Sequence, residues 1–132
     1  MAGTRTLGNV FETTEGGLHL HEALVKTERT ALAFVSGDTV KSFTFTATAK
    51  ATRIIFEMPA FSGAVVTGVV SIENSDGKEI YASAAGAESN THVYSPDPAV
   101  PIVGTNTVKV TLSTNPLSSG TCYVAMYLEG GN

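Results

Sequence analysis

Ser42-Phe43-Thr44-Phe45-Thr46-Ala47-Thr48 is the stretch that decides the fold class. Phe43, Phe45 and Ala47 fall on one side of an extended chain and Thr44, Thr46 and Thr48 on the other, the two-residue period of a half-buried strand. Threonine and phenylalanine also suit a pleated surface better than a helix. Arg53 to Met58 repeats the scheme with Ile54, Phe56 and Met58 inward, and Pro59, which has no N–H to give a ladder, marks its end.

Working outward, Ala64 to Glu73 is apolar on both faces around Val65, Val66, Val69, Val70 and Ile72, which predicts a central or covered strand. Asn74-Ser75-Asp76-Gly77 then turns into a strand over Lys78 to Ala82, with Gly77 supplying the positive φ that a bulged turn requires. Thr105 to Leu112 alternates Val108, Val110 and Leu112 with Thr107, Lys109 and Thr111. It is expected to form a hairpin with Gly120 to Leu128 through Ser113 to Ser119. That last strand is apolar on both faces, with Tyr123, Ala125 and Tyr127 against Cys122, Val124, Met126 and Leu128, so it should not be an exposed edge. Leu18 to Val25 and Ala31 to Val35 add two candidate strands.

The expectation is an all-β, single-domain β-sandwich, jelly-roll-like, of about eight or nine short strands over residues 18–132, preceded by an extended N-terminal arm over residues 1–17. The arm is polar and weakly patterned, which fits a segment that orders against a neighbour as well as it fits a frayed terminus. A chain of 132 residues is long enough for one core.

Composition narrows the function. Apolar residues make up 42% and charged residues only 15%, which excludes a solvating disordered chain and suits a surface spent on contacts. The net charge of −4, with no cluster of Lys and Arg, argues against nucleic acid as a partner. No segment is apolar enough for a secretory leader or a helical membrane span, so synthesis in the cytoplasm and no membrane partner are expected. Cys122 is the single cysteine, which leaves no internal disulfide and reads as a small buried hydrophobe.

Each pattern that could carry chemistry has a plainer reading. His19 and His21 share a strand face and could hold a metal with His92, but an ordinary polar outer face explains the same spacing. Glu12, Glu15, Glu57, Asp76 and Asp97 are available for acid/base work, yet no spacing selects a pair, and Asp76 and Asp97 sit in turns. Gly-x-Ser-x-Gly, a P-loop and Gly-x-Gly-x-x-Gly are absent. Tyr81, Tyr94, Tyr123 and Tyr127 could stack on a sugar, but Tyr123 and Tyr127 read better as core packing. No enzyme activity, cofactor, metal or small-molecule substrate is therefore expected. Ala84 to Pro98 is the longest unpatterned stretch and reads as a contact loop carrying His92, Val93 and Tyr94. With Leu7, Val10 and Phe11 of the arm, these are the candidate protein-interface residues.

Three stretches together resemble a family of small tailed-phage proteins, the capsid decoration or cement proteins. They are Arg53-Ile54-Ile55-Phe56-Glu57-Met58-Pro59-Ala60-Phe61, the Ile72-to-Tyr81 hairpin, and Val100-Pro101-Ile102-Val103-Gly104-Thr105 leading into the C-terminal strands. The resemblance spans residues 40–129 and implies a β-sandwich, often a homotrimer, that binds the major capsid protein lattice on the outer surface of the virion. A tail or baseplate β-domain, or a carbohydrate-binding jelly-roll module, remains the alternative.

Overall fold

The computed structural model describes residues 24–61, 65–116 and 118–130. Nine strands appear in order: β1 (Leu24–Lys26), β2 (Thr30–Phe34), β3 (Val40–Met58), β4 (Thr67–Glu73), β5 (Glu79–Ala82), β6 (Gly86–Ala87), β7 (Asn90–Tyr94), β8 (Val100–Leu112) and β9 (Gly120–Gly130). Every pairing is antiparallel, and no helix occurs among the described residues.

The two strands expected at Ser42 to Thr48 and Arg53 to Met58 are one strand of 19 residues. β3 organises the rest because it belongs to both layers. Its first part, Val40 to Ala51, pairs with β8, which pairs in turn with β4, and β4 carries β5 and β6 on its far edge. Its second part pairs with β9 over Ala49 to Glu57 on one edge and with β7 over Ile54 to Met58 on the other. A register shift between Ala51 and Arg53 marks where the strand changes layer, the usual effect of a bulge. β1 and β2 follow one another along the outer edge of β9. The result is a sheet continuous through β3 that closes over itself, a jelly-roll-like sandwich.

The core lies between these layers. Ile54 and Phe56 of β3, Val70 and Ile72 of β4, Val108 and Val110 of β8 and Cys122 of β9 are fully buried. Contact between layers is close enough that Gly68 admits no side chain: a Cβ there would stand 2.8 Å from Cζ of Phe56. Gly86, paired with Gly68, is held small in the same way by the His92 ring. Cys122 is inert packing, as expected. Its Sγ lies 3.8 Å from Sδ of Met58, and burial pushes the thiol up to about 12.

The Asn74 turn forms as expected. Gly77 takes φ +81°, and Asn74 Oδ1 accepts from the amides of Asp76 and Lys78. Pro101 is tolerated near the start of β8 because β4 reaches only Thr107 to Leu112, so no neighbour on that edge needs its N–H. β9 is interior, between β3 and the β1–β2 edge, which matches its apolar sequence.

The expected hairpin between Thr105–Leu112 and Gly120–Leu128 does not form. β8 is flanked by β3 and β4, and β9 by β3 and β1–β2, so each is already satisfied and the segment between them crosses from one layer to the other. Ala84 to Pro98 is likewise no loop: it contains β6 and β7, which are too short to show a period in sequence. The arm over residues 1–17, and most of the strand expected at Leu18 to Val25, lie outside the described residues.

Candidate interaction surface

The outward face of the second layer is built from rows of directly opposed residues, which in an antiparallel sheet share a side. One row is Val93 of β7, Ile55 of β3 and Ala125 of β9. A second is Thr91, Glu57, Tyr123 and Ala31, and a third is Arg53, Tyr127 and Lys26. An apolar row is thus bordered on each side by a tyrosine.

Tyr123 and Tyr127 are half-buried on this outer face and do not enter the core, which corrects the expectation for both. Cations cover their rings. The Arg29 guanidinium lies 3.5 Å from the Tyr123 centroid, and Lys26 and Arg53 lie 5.9 and 5.3 Å from that of Tyr127. Arg29 is fixed from behind by Glu57 through two parallel bonds, Nε to Oε2 and Nη2 to Oε1, both 2.7 Å. That hydrogen-bonded pair holds the Glu57 carboxyl below its ordinary range and Arg29 above its own. Glu57 is therefore committed to an ion pair, and because that pair is largely exposed it orders the surface more than it stabilises the fold.

The structure separates the three β7 candidates. Val93 is 57% exposed and belongs to the outward row. His92 and Tyr94 point the other way, where they fasten β6 to β7: His92 Nε2 lies 2.9 Å from the Ala87 carbonyl, and the Tyr94 hydroxyl donates to the Ala84 carbonyl at 3.0 Å. The two rings stack with centroids 6.2 Å apart. Leu7, Val10, Phe11, His19 and His21 lie outside the described residues. Among the described residues no three His, Cys, Asp or Glu side chains converge as a metal site would require. A shallow cavity of about 360 Å³ adjoins the row of Glu57 and Tyr123, rimmed by Pro59, Ser89, Asn90 and Thr121.

Glu88 is a residue that sequence reading passed over. Its carboxylate accepts from the amides of Phe61 and Val66, both at 2.7 Å, and so clasps the two ends of the connection between β3 and β4. These bonds hold its pKa below the ordinary range. A carboxyl depressed in the folded state contributes stability above its unfolded pKa and loses it as pH falls through the folded value. Glu88→Gln should therefore lower the urea midpoint at pH 7 and flatten its fall between pH 5 and pH 3. Midpoints measured across that window check this, and parallel curves for the two proteins would contradict it.

No protein-family model matches the chain, and no curated protein sequence is significantly similar to it. Solved structures with a similar chain trace include the capsid of infectious bursal disease virus. In its T13 particle the similarity has a TM-score of 0.46 at 10% identity over 85% of this chain and 32% of that one. The Gt strain gives 0.40 at 10% identity over 84% and 34%. A subunit of the disulfide-linked pili of Bacillus endospore appendages gives 0.42 at 10% identity, over 89% of this chain and 100% of that one. The chain spans about a third of the length of the virus chains.

Proposed function

We propose that this protein is a virion structural subunit that works by binding other protein subunits and not by catalysis. In the specific form, it is a tailed-phage capsid decoration protein that seats on the major capsid protein lattice and stabilises the head. The observation that carries the binding role is the outward face of the second layer. There an apolar row with exposed Val93 lies between two tyrosines whose cations are already positioned. Tyrosine and arginine are the residue types that dominate protein interfaces, and side chains ordered in advance lose less entropy on docking. Repetition over a symmetric lattice multiplies weak contacts into avidity, and a homotrimer would multiply them again. The phage assignment rests on the sequence resemblance over residues 40–129.

The test is to add purified protein to heads assembled without it. Saturable binding that raises the temperature at which heads rupture is expected, and Val93→Asp should weaken it by about tenfold or more by placing a charge in the apolar row. Heads that bind no protein would refute the capsid assignment. Equal binding by Val93→Asp would refute this face, and sedimentation as a monomer would refute the trimer.

The carbohydrate-binding alternative finds less support in the tyrosines. Tyr94 is turned inward to the Ala84 carbonyl, and the Tyr123 ring face that a sugar would use is covered by Arg29.

A further inference from the structure

The outward face of the second layer holds its charges unevenly. At the Tyr123 end the Arg29 guanidinium is matched by the Glu57 carboxylate through two bonds of 2.7 Å, so that end is neutral. At the Tyr127 end two cations converge on one ring, with Lys26 Nζ 5.9 Å and the Arg53 guanidinium 5.3 Å from its centroid. Both residues are exposed. One row farther along, Lys50 stands opposite Glu129, and those charges offset each other. Among the described residues the face is therefore positive at one place, in a chain whose net charge is −4. That place adjoins the apolar row. Ile55 follows Arg53 by two residues on β3 and Ala125 precedes Tyr127 by two on β9, so about 7 Å separates the cations from the row of Val93, Ile55 and Ala125. Outward side chains two residues apart on any extended chain have the same spacing.

We infer, building on the docking role proposed above, that the partner subunit meets this face with an extended segment that sets an apolar side chain against Val93, Ile55 and Ala125 and, two residues along, an aspartate or glutamate against Lys26 and Arg53. Charge complementarity selects this occupant. Two like charges held over one ring repel, and a carboxylate seated between them removes that repulsion while accepting bonds from both. The Arg53 guanidinium can grip it with two parallel N–H groups, and Lys26 adds a point charge. A second copy docked face to face fits less well. It would bring the same two cations together, and the acid it presents, Glu57, is already committed to Arg29. A nucleic-acid phosphate would match the cations but not the apolar row beside them, and the remainder of this acidic chain repels a polyanion.

Binding of the purified protein to heads assembled without it, compared at about 50 and about 500 mM NaCl, tests the charge separately from the docking. The parent should bind about tenfold or more weakly at the higher salt. Lys26→Glu/Arg53→Glu should weaken binding about 100-fold at the lower salt. Lys26→Gln/Arg53→Gln, which keeps two long side chains beside the Tyr127 ring, should weaken it about tenfold and lose most of the salt dependence. Both pairs are exposed, so urea midpoints close to that of the parent are expected. Equal weakening by the two variants at both salt concentrations would mean that packing and not charge is recognised, and would overturn the inference. Binding by the Glu variant as tight as the parent's would overturn it too, while leaving the docking face standing if Val93→Asp still weakens binding. Heads that bind neither protein would overturn the inference together with the reading it rests on. An oligomer of the parent in sedimentation that Val93→Asp dissociates would overturn it in favour of a second copy.

Discussion

Truncating Phe56 to alanine is expected to remove about 3–5 kcal/mol of folding stability, a third or more of what a domain of this size commonly has. Phe56 is fully buried between the layers. Its ring lies against Gly68 of β4 and 6.1 Å from the His92 ring centroid, so it connects β3 with strands of both layers. The loss should fall toward the upper end of that range because the residue facing it is glycine, and no opposing side chain can move in to fill the cavity. Phe45→Ala is the informative comparison. It alters the same strand and the same inward face, but Phe45 is only half-buried and packs at the margin of the core. Its cost should be less than half that of Phe56→Ala. Urea unfolding at pH 7 measures both, and equal losses would contradict a core centred on the second part of β3.

That contrast also shows what sequence could and could not convey. Alternation is local, so the inward faces at Ile54, Phe56 and Met58 and at Val108, Val110 and Leu112 were legible directly, as was the Asn74 turn, whose bonds close within five residues. The depth of burial along one face was not legible: Phe45 and Phe56 look equivalent in sequence, yet Phe56 is fully buried and Phe45 only half-buried at the margin of the same core. Strand partners are also non-local. Nothing near Leu112 or Gly120 indicates that β8 and β9 flank β3 on opposite edges and never meet. The misplacement of Tyr123 and Tyr127 has the same origin. A strand apolar on both faces does not state which face is core, and the cations that make the tyrosines tolerable outside come from Lys26, Arg29 and Arg53, distant in sequence. Glu88 passed unnoticed because its partners are backbone amides, which no side-chain pattern announces. Asn106, by contrast, left a signal: the period that places Val108, Val110 and Leu112 inward places Asn106 inward as well.

Asn106→Asp should be destabilised by on the order of 4 kcal/mol at pH 7, and most of that loss should be recovered near pH 4. Asn106 is 1% exposed on the core-facing side of β8. With its amide nitrogen turned toward the backbone, it donates to the carbonyls of Gly104 and Val103 at 3.3 and 3.2 Å, bracing the chain where Gly104 takes φ +73°. Aspartate replaces that donor with an acceptor. When ionised it places a charge against two carbonyl oxygens in a site closed to water. Both effects favour the protonated form, which restores one donor, so the folded-state pKa must rise above the unfolded value. Between those two values the native chain keeps a proton that the unfolded chain has released, and stability falls as pH rises. This is opposite in sign to Glu88 and Glu57, whose depressed values make the protein weaken as pH falls. The variant should accordingly lie closest to the parent protein near pH 4 and farthest from it at neutral pH. Asn106→Leu separates the contributions: it loses the same donor but carries no charge, so its deficit should be smaller at pH 7 and independent of pH. Urea midpoints for the three proteins at pH 4 and pH 7 measure this, and a pH-independent deficit in Asn106→Asp would mean that water reaches the carboxylate and that the inner face of β8 is open at this position.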